Sequence, residues 1–229
     1  MTSPRRNRDR KPSRRQPFRD PKPTILIVCE GSVSEPEYFD GFWHACHNTR
    51  VTVHVSDDHG VPLTLVRIAK ELKNEALAQA KRQGDDFLAF DAVWCVHDVD
   101  DHPQLDEARE MAEANNIELA ISNPNFELWL LLLHFRDSPG MQHRAAIGKT
   151  LKQHVPDFEK HVIFSKYSAG SEEAVERARR LDQIAEGRGE AGSNPTTGVY
   201  KLTSLIRGNG WGGVAPPTQE LFTRSWRER

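Results

Sequence analysis

Two short apolar runs constrain this chain most. Thr24 to Cys29 reads TILIVC, and Ala92 to Val96 reads AVWCV. Each is rich in β-branched, sulfur-containing or aromatic residues and too short for an ordinary helix, the composition of a strand covered on both faces. Strands of that kind pair in parallel sheets with helices above and below, so the chain is expected to be α/β.

Both runs end on acid. The first is followed by Glu30-Gly31, the second by His97-Asp98-Val99-Asp100-Asp101-His102. Strand alternation puts Asp98 and Asp100 on one side of the backbone, with Val99 and Asp101 pointing away. Two carboxylates that close repel each other unless a cation lies between them, and hard oxygen ligands suit Mg²⁺ or Mn²⁺. Ligands in open α/β sheets bind at the carboxyl ends of the strands. Glu30, Asp98 and Asp100 are therefore expected to share one site. The plain alternative is an Asp-rich turn solvated at the end of a strand.

The remaining pattern supports a parallel sheet of about four strands. Ser34 precedes Glu35-Pro36-Glu37, so Ser34 is an expected N-cap with Glu37 at capping-box spacing. Tyr38, Phe39, Phe42, Trp43 and Cys46 then recur at helical spacing over 35–47. Residues 51–55 alternate as a second strand, and Pro62 opens a long helix ending near Gly84. A helix over 104–115 and a strand over 117–121 follow the Asp-rich loop. Ser122-Asn123-Pro124 is expected to turn the chain into a very apolar helix from Phe126 to Phe135, with Ser122 or Asn123 as its cap. Beyond 136 the periodicity is helical, over 141–154 with a basic face (Arg144, Lys149, Lys152), over 171–185 and over 199–206. The expected organisation is a basic arm over 1–23, an α/β core over 24–136, a helical extension over 137–210 and a tail over 211–229.

Charge is unevenly placed. Residues 1–23 hold nine basic residues against Asp9 and Asp20, leaving 22 basic and 31 acidic residues for the rest. An arm so basic and so poor in apolar residues has little to fold around. Arg5, Arg6, Arg8, Arg10, Lys11, Arg14 and Arg15 suit a phosphate backbone, DNA or RNA, through counterion release. No apolar run approaches the ~20 residues that span a bilayer, and no signal-like segment opens the chain. Cys29, Cys46 and Cys95 lack metal-site spacing, and Cys29 and Cys95 fall in buried strands. The chain reads as cytoplasmic, and a homo-oligomer stays open.

The pattern of an apolar strand ending in Glu-Gly and a later strand ending in Asp-x-Asp resembles the Toprim domain of topoisomerases, primases and OLD-family nucleases. Cys29-Glu30-Gly31-Ser32-x-Ser34-Glu35-Pro36-x-Tyr38-Phe39, then Asp98-x-Asp100, then Ser122-Asn123-Pro124-x-Phe126-Glu127-Leu128-Trp129-Leu130-Leu131-Leu132-x-His134-Phe135 resembles more closely the RloB-like family of bacterial defence loci. The likeness spans roughly residues 24–207. It implies Asp98 and Asp100 as ligands of Mg²⁺ or Mn²⁺, and Glu30 as general acid/base or further ligand. It implies a metal-dependent endonuclease acting beside an ABC/OLD-type ATPase in phage defence. The chain departs from the usual Toprim pattern in running straight from the glutamate loop into an aromatic helix.

Further residues have two readings each. Glu35 reads first as a favourable charge at a helix N-terminus. Glu127 needs a partner inside so apolar a segment, either helix N–H groups or the metal site. Asp101 suits a second ion, Asn123 lies at a strand end, and Lys166 and Lys201 suit substrate phosphates. Two rival functions share the pattern. One is a non-catalytic Toprim-like adaptor that binds nucleotide or nucleic acid. The other is a small-ester metal phosphatase, for which the first Asp is the nucleophile and Glu30 is idle.

Overall fold

The computed structural model describes residues 23–48, 51–99, 104–133 and 143–208. The strands are β1 (Thr24–Cys29), β2 (Thr52–Val55), β3 (Ala92–Asp98), β4 (Glu118–Asn123) and β5 (Thr196–Thr197). The helices are α1 (Ser34–Cys46), α2 (Pro62–Gln83), α3 (Leu105–Ala114), α4 (Glu127–Leu133), α5 (Arg144–His154), α6 (Ser171–Gly187) and α7 (Val199–Arg207). The five strands form one sheet in the order β2-β1-β3-β4-β5. The first four are parallel and β5 is antiparallel to β4.

This order places a topological switch point between β1 and β3. The chain leaves β1 for β2 on one side and then crosses back to β3 on the other. The crevice outside the carboxyl ends of two such strands is where doubly wound sheets bind ligands.

Alternation along the strands divides the core in two. Ile25, Ile27, Cys29, Trp94 and Val96 face a large layer built with α1, α4, α5, α6 and α7. Leu26, Val28, Val93 and Cys95 face a smaller layer with α2 and α3. Every one of these strand residues is at least 96% buried, which explains the continuous apolar runs. The large layer is centred on Tyr38, whose ring packs against Phe39, Phe42, Phe126, Trp129 and Phe164. Tyr38 and Phe39 are thus core, as their spacing suggests. This layer draws side chains from both the 24–136 and the 137–210 stretches.

Several local expectations are corrected. Ser34 does not cap α1. Its hydroxyl donates to the Lys160 carbonyl (2.6 Å), and the Glu37 carboxylate accepts from the Val162 N–H (2.6 Å) and bonds His161 (2.8 Å). These side chains tie α1 to a distant loop, a tertiary use that outweighs the local cap. Ser122 and Asn123 do not cap a helix either, because β4 continues through them. The Ser122 hydroxyl bonds Thr197 (2.9 Å) and the Asn123 amide donates to the Gly192 carbonyl (2.9 Å), which anchors the strand that sequence periodicity misses, β5. Pro124 follows in a cis bond and precedes α4 rather than opening it. β3 runs two residues past the apolar run, so His97 and Asp98 are still strand.

Candidate carboxylate site

The end of β1 and the end of β3 meet. The Glu30 N–H donates to the Val96 carbonyl (2.9 Å), extending the ladder by one rung past Cys29. In return the Asp98 N–H donates to Glu30 Oε2 (2.8 Å). Two acids 68 positions apart are thereby locked together at the switch point. On the other side of β3, the Val99 N–H donates to the Ser122 carbonyl (2.8 Å), which holds the start of the Asp-rich loop on β4.

Asp98 shares the parity of Trp94 and Val96, so its side chain is on the large-layer face. Two helices bring further carboxylates there. Glu35 comes from the first turn of α1 and is only 8% exposed. Glu127 opens α4. Burial, followed by the negative charges of Glu35, Glu127 and Glu30, pushes the Asp98 carboxyl up to about 8, and only Arg144 pulls it back. Burial also raises Glu35, helped by Glu127 and Glu30 and opposed by backbone hydrogen bonds including one at Gly31. Four carboxylates therefore act on one another across a small, poorly solvated space.

Gly31 makes the arrangement possible. A Cβ built there would overlap the Glu35 carboxylate, so the glycine supplies room rather than a left-handed turn. Arg144, the first residue of α5, reaches the same place. Its Nη2 donates to the Val99 carbonyl (2.9 Å), directly after Asp98.

Of the residues singled out from sequence, the structure brings Glu30 and Asp98 together and adds Glu35 and Glu127. Glu35 is the larger surprise, since its helix-dipole role and its site role look alike in sequence. Asn123 binds the Gly192 carbonyl. Lys166 pairs with Asp157 (2.5 Å) and Lys201 with Asp182 (3.6 Å), the latter also over the Tyr200 ring. Asp100, Asp101, His134, the arm with Arg5, Arg6, Arg8, Arg10, Lys11, Arg14 and Arg15, and the 211–229 tail lie outside the described residues. Arg144 is a site residue that sequence reasoning placed only on a basic helix face.

The donor chemistry fits a hard divalent cation. The groups are carboxylates, Glu35 is buried and Glu30, Asp98 and Glu127 are half-buried, and their mutual repulsion is of the sign a cation relieves. Among the described residues no three His, Cys, Asp or Glu side chains are already set at metal-holding distances.

The fold and site define an α/β protein with an acidic cluster at the carboxyl edge of a doubly wound sheet, an arrangement consistent with a Toprim-like core. The RloB-like protein family matches residues 25–206, and the chain belongs to that family. No curated protein and no solved structure matches it. Among the described residues no helix is long and apolar enough to cross a membrane.

Proposed function

We propose that this chain is a divalent-metal-dependent phosphodiesterase that cleaves nucleic acid, DNA or RNA, with Glu30, Asp98 and Asp100 as its working acids. The observation that carries the reading is the hydrogen bond from the Asp98 N–H to Glu30 Oε2 at the β1/β3 switch point. A solvated Asp-rich turn has no need of a second acid from another strand, nor of two more from α1 and α4.

Asp98 and Asp100 would hold Mg²⁺ or Mn²⁺, which supplies Lewis acidity at the phosphodiester and neutralises its charge. Glu30, oriented by the Asp98 N–H, would take the proton from the water whose oxygen bonds to phosphorus as the P–O bond to the leaving sugar oxygen breaks, and that oxygen would take up a proton from solvent. Glu35 and Glu127 deepen the negative potential, which favours cation over substrate until the cation is bound. The order metal first, phosphodiester second follows from that sign. With no Walker A motif in the sequence, any ATP use in a defence complex is assigned to a partner ATPase of the ABC/OLD type.

The test is cleavage of plasmid DNA and of tRNA by the purified chain in Mg²⁺ or Mn²⁺. Cleavage that stops with chelator and in Glu30→Gln, with nucleic-acid binding retained, is the expected result. Turnover of a generic phosphate ester that survives Glu30→Gln would instead favour a small-ester phosphatase. Absence of cleavage with binding intact would favour an adaptor.

A further inference from the structure

The proposed reaction asks how a polyanion approaches an acidic site. Outside the first 23 residues the chain is strongly acidic, and the site itself gathers four carboxylates. α5 differs from its surroundings. From Met141 to Pro156 the sequence contains no Asp or Glu, and it holds Arg144, Lys149 and Lys152.

Their placement is orderly. At about 100° per residue, Arg144, Lys152 and Lys149 fall within an arc of about 140°. The other residues of that arc are Gly148 and Ala145, small enough to let a backbone lie close. Ile147 and Leu151 lie beside the Arg144 edge of that arc, on the side away from Lys149, and are fully buried in the large layer, so the orientation of α5 is fixed. Arg144, Lys149 and Lys152 are exposed. Among the described residues no ion pair engages Lys149 or Lys152. The strip begins at the site, because Arg144 Nη2 is bonded to the carbonyl of Val99, next to Asp98. From Arg144 to Lys152 it runs about 12 Å along the helix. That is the length of about three phosphates of one strand at about 3.4 Å each.

We propose that the exposed basic strip of α5, Arg144–Lys149–Lys152, is the track on which the phosphate backbone of a nucleic-acid strand is led into the carboxylate site. The inference rests on the nucleic-acid reading above and names the surface that reading requires. Arg144 positions the end of the track at the β3 loop. Lys149 and Lys152 hold the phosphates that follow. The contacts are to backbone alone, so the track imposes no base preference.

The test uses the full chain carrying Lys149→Glu and Lys152→Glu, beside a control with the same charge change on the opposite layer, Lys81→Glu and Arg82→Glu. Fluorescence anisotropy with a labelled single-stranded oligonucleotide and a labelled duplex, in Ca²⁺, gives Kd against salt. The expected result for the α5 variant is a Kd raised about tenfold or more at moderate salt. The salt slope should fall by about 0.7 per lost contact for single strands and about 0.9 for duplex. Mn²⁺ affinity at the carboxylates should be unchanged, and the control should shift Kd less than about twofold. Equal weakening in both variants, an unchanged Kd in the α5 variant, or no nucleic-acid binding by the parent chain each overturns the track. Loss of binding to an acidic protein partner with nucleic-acid affinity intact overturns it too. If the α5 dependence holds but Glu30→Gln cleaves like the parent, the catalytic reading falls and the track stands.

Discussion

Asp98 carries opposing demands. Strand pairing fixes its backbone at the edge of β3, while Glu35, Glu127, Glu30 and burial oppose its charge. A carboxyl raised from 3.8 to about 8 binds more protons in the folded state than in the unfolded one. Its stabilising effect is therefore complete below the unfolded value and is lost as pH rises through the folded one. In chelator, thermal stability should fall between about pH 4 and pH 8, by at least about 4 °C, since about 1 kcal/mol moves Tm by about 2–4 °C at this size. Asp98→Asn should flatten that profile, and Mn²⁺ should raise Tm most at the alkaline end; a parent profile as flat as the variant's would contradict the electrostatic account. Glu30→Gln should lower cleavage about 10²–10⁴-fold, the span of a lost acid/base group. Gly31→Ala should push the Glu35 carboxylate aside and weaken metal-dependent cleavage with little change in Tm, because the displaced atoms are the end of a flexible side chain. Glu30 and Asp98 were legible in sequence because each follows a run that can only be a buried strand. Glu35 was not, since an acid in a first helical turn is explained equally well by the dipole. Only its burial and its carboxylate neighbours, both non-local, separate the two readings.

At the scale of elements, the long apolar or periodic segments were readable and the junctions were not. β1, β3, α2 and α6 follow from composition and period alone. β5 is two residues long and owes its existence to partners, with the Gly198 N–H donating to the Ile121 carbonyl (2.8 Å) and Thr197 meeting Ser122. No window of sequence reports that. Thr197→Val should leave the buried Ser122 hydroxyl short of a partner and cost about 1–3 kcal/mol, measurable as a lower denaturant midpoint at unchanged slope. A neutral result would mean that the pairing of β5 contributes little. Ser34, Glu37, Ser122 and Asn123 fit local capping rules, yet their side chains serve contacts between distant segments. Local rules describe what a residue is able to do, and tertiary neighbours decide among the options.

For the whole molecule, strand order is what turns scattered acids into a site. With β1 between β2 and β3, the loops after β1 and β3 diverge to opposite faces and leave a crevice into which α1 and α4 add their first-turn glutamates. Sequence showed which strands end in acid but not that these two are neighbours. The family match over 25–206 takes in residues of both core layers. The claim beneath the functional reading is that these acids act together on one kind of ion. Titration of the chain with Mn²⁺, followed by the loss of the free-ion EPR signal, tests it most directly. The account predicts saturable binding that Mg²⁺ displaces and that weakens by at least about tenfold in the Glu30→Gln, Asp98→Asn double variant. Binding of equal strength in parent and double variant would contradict it.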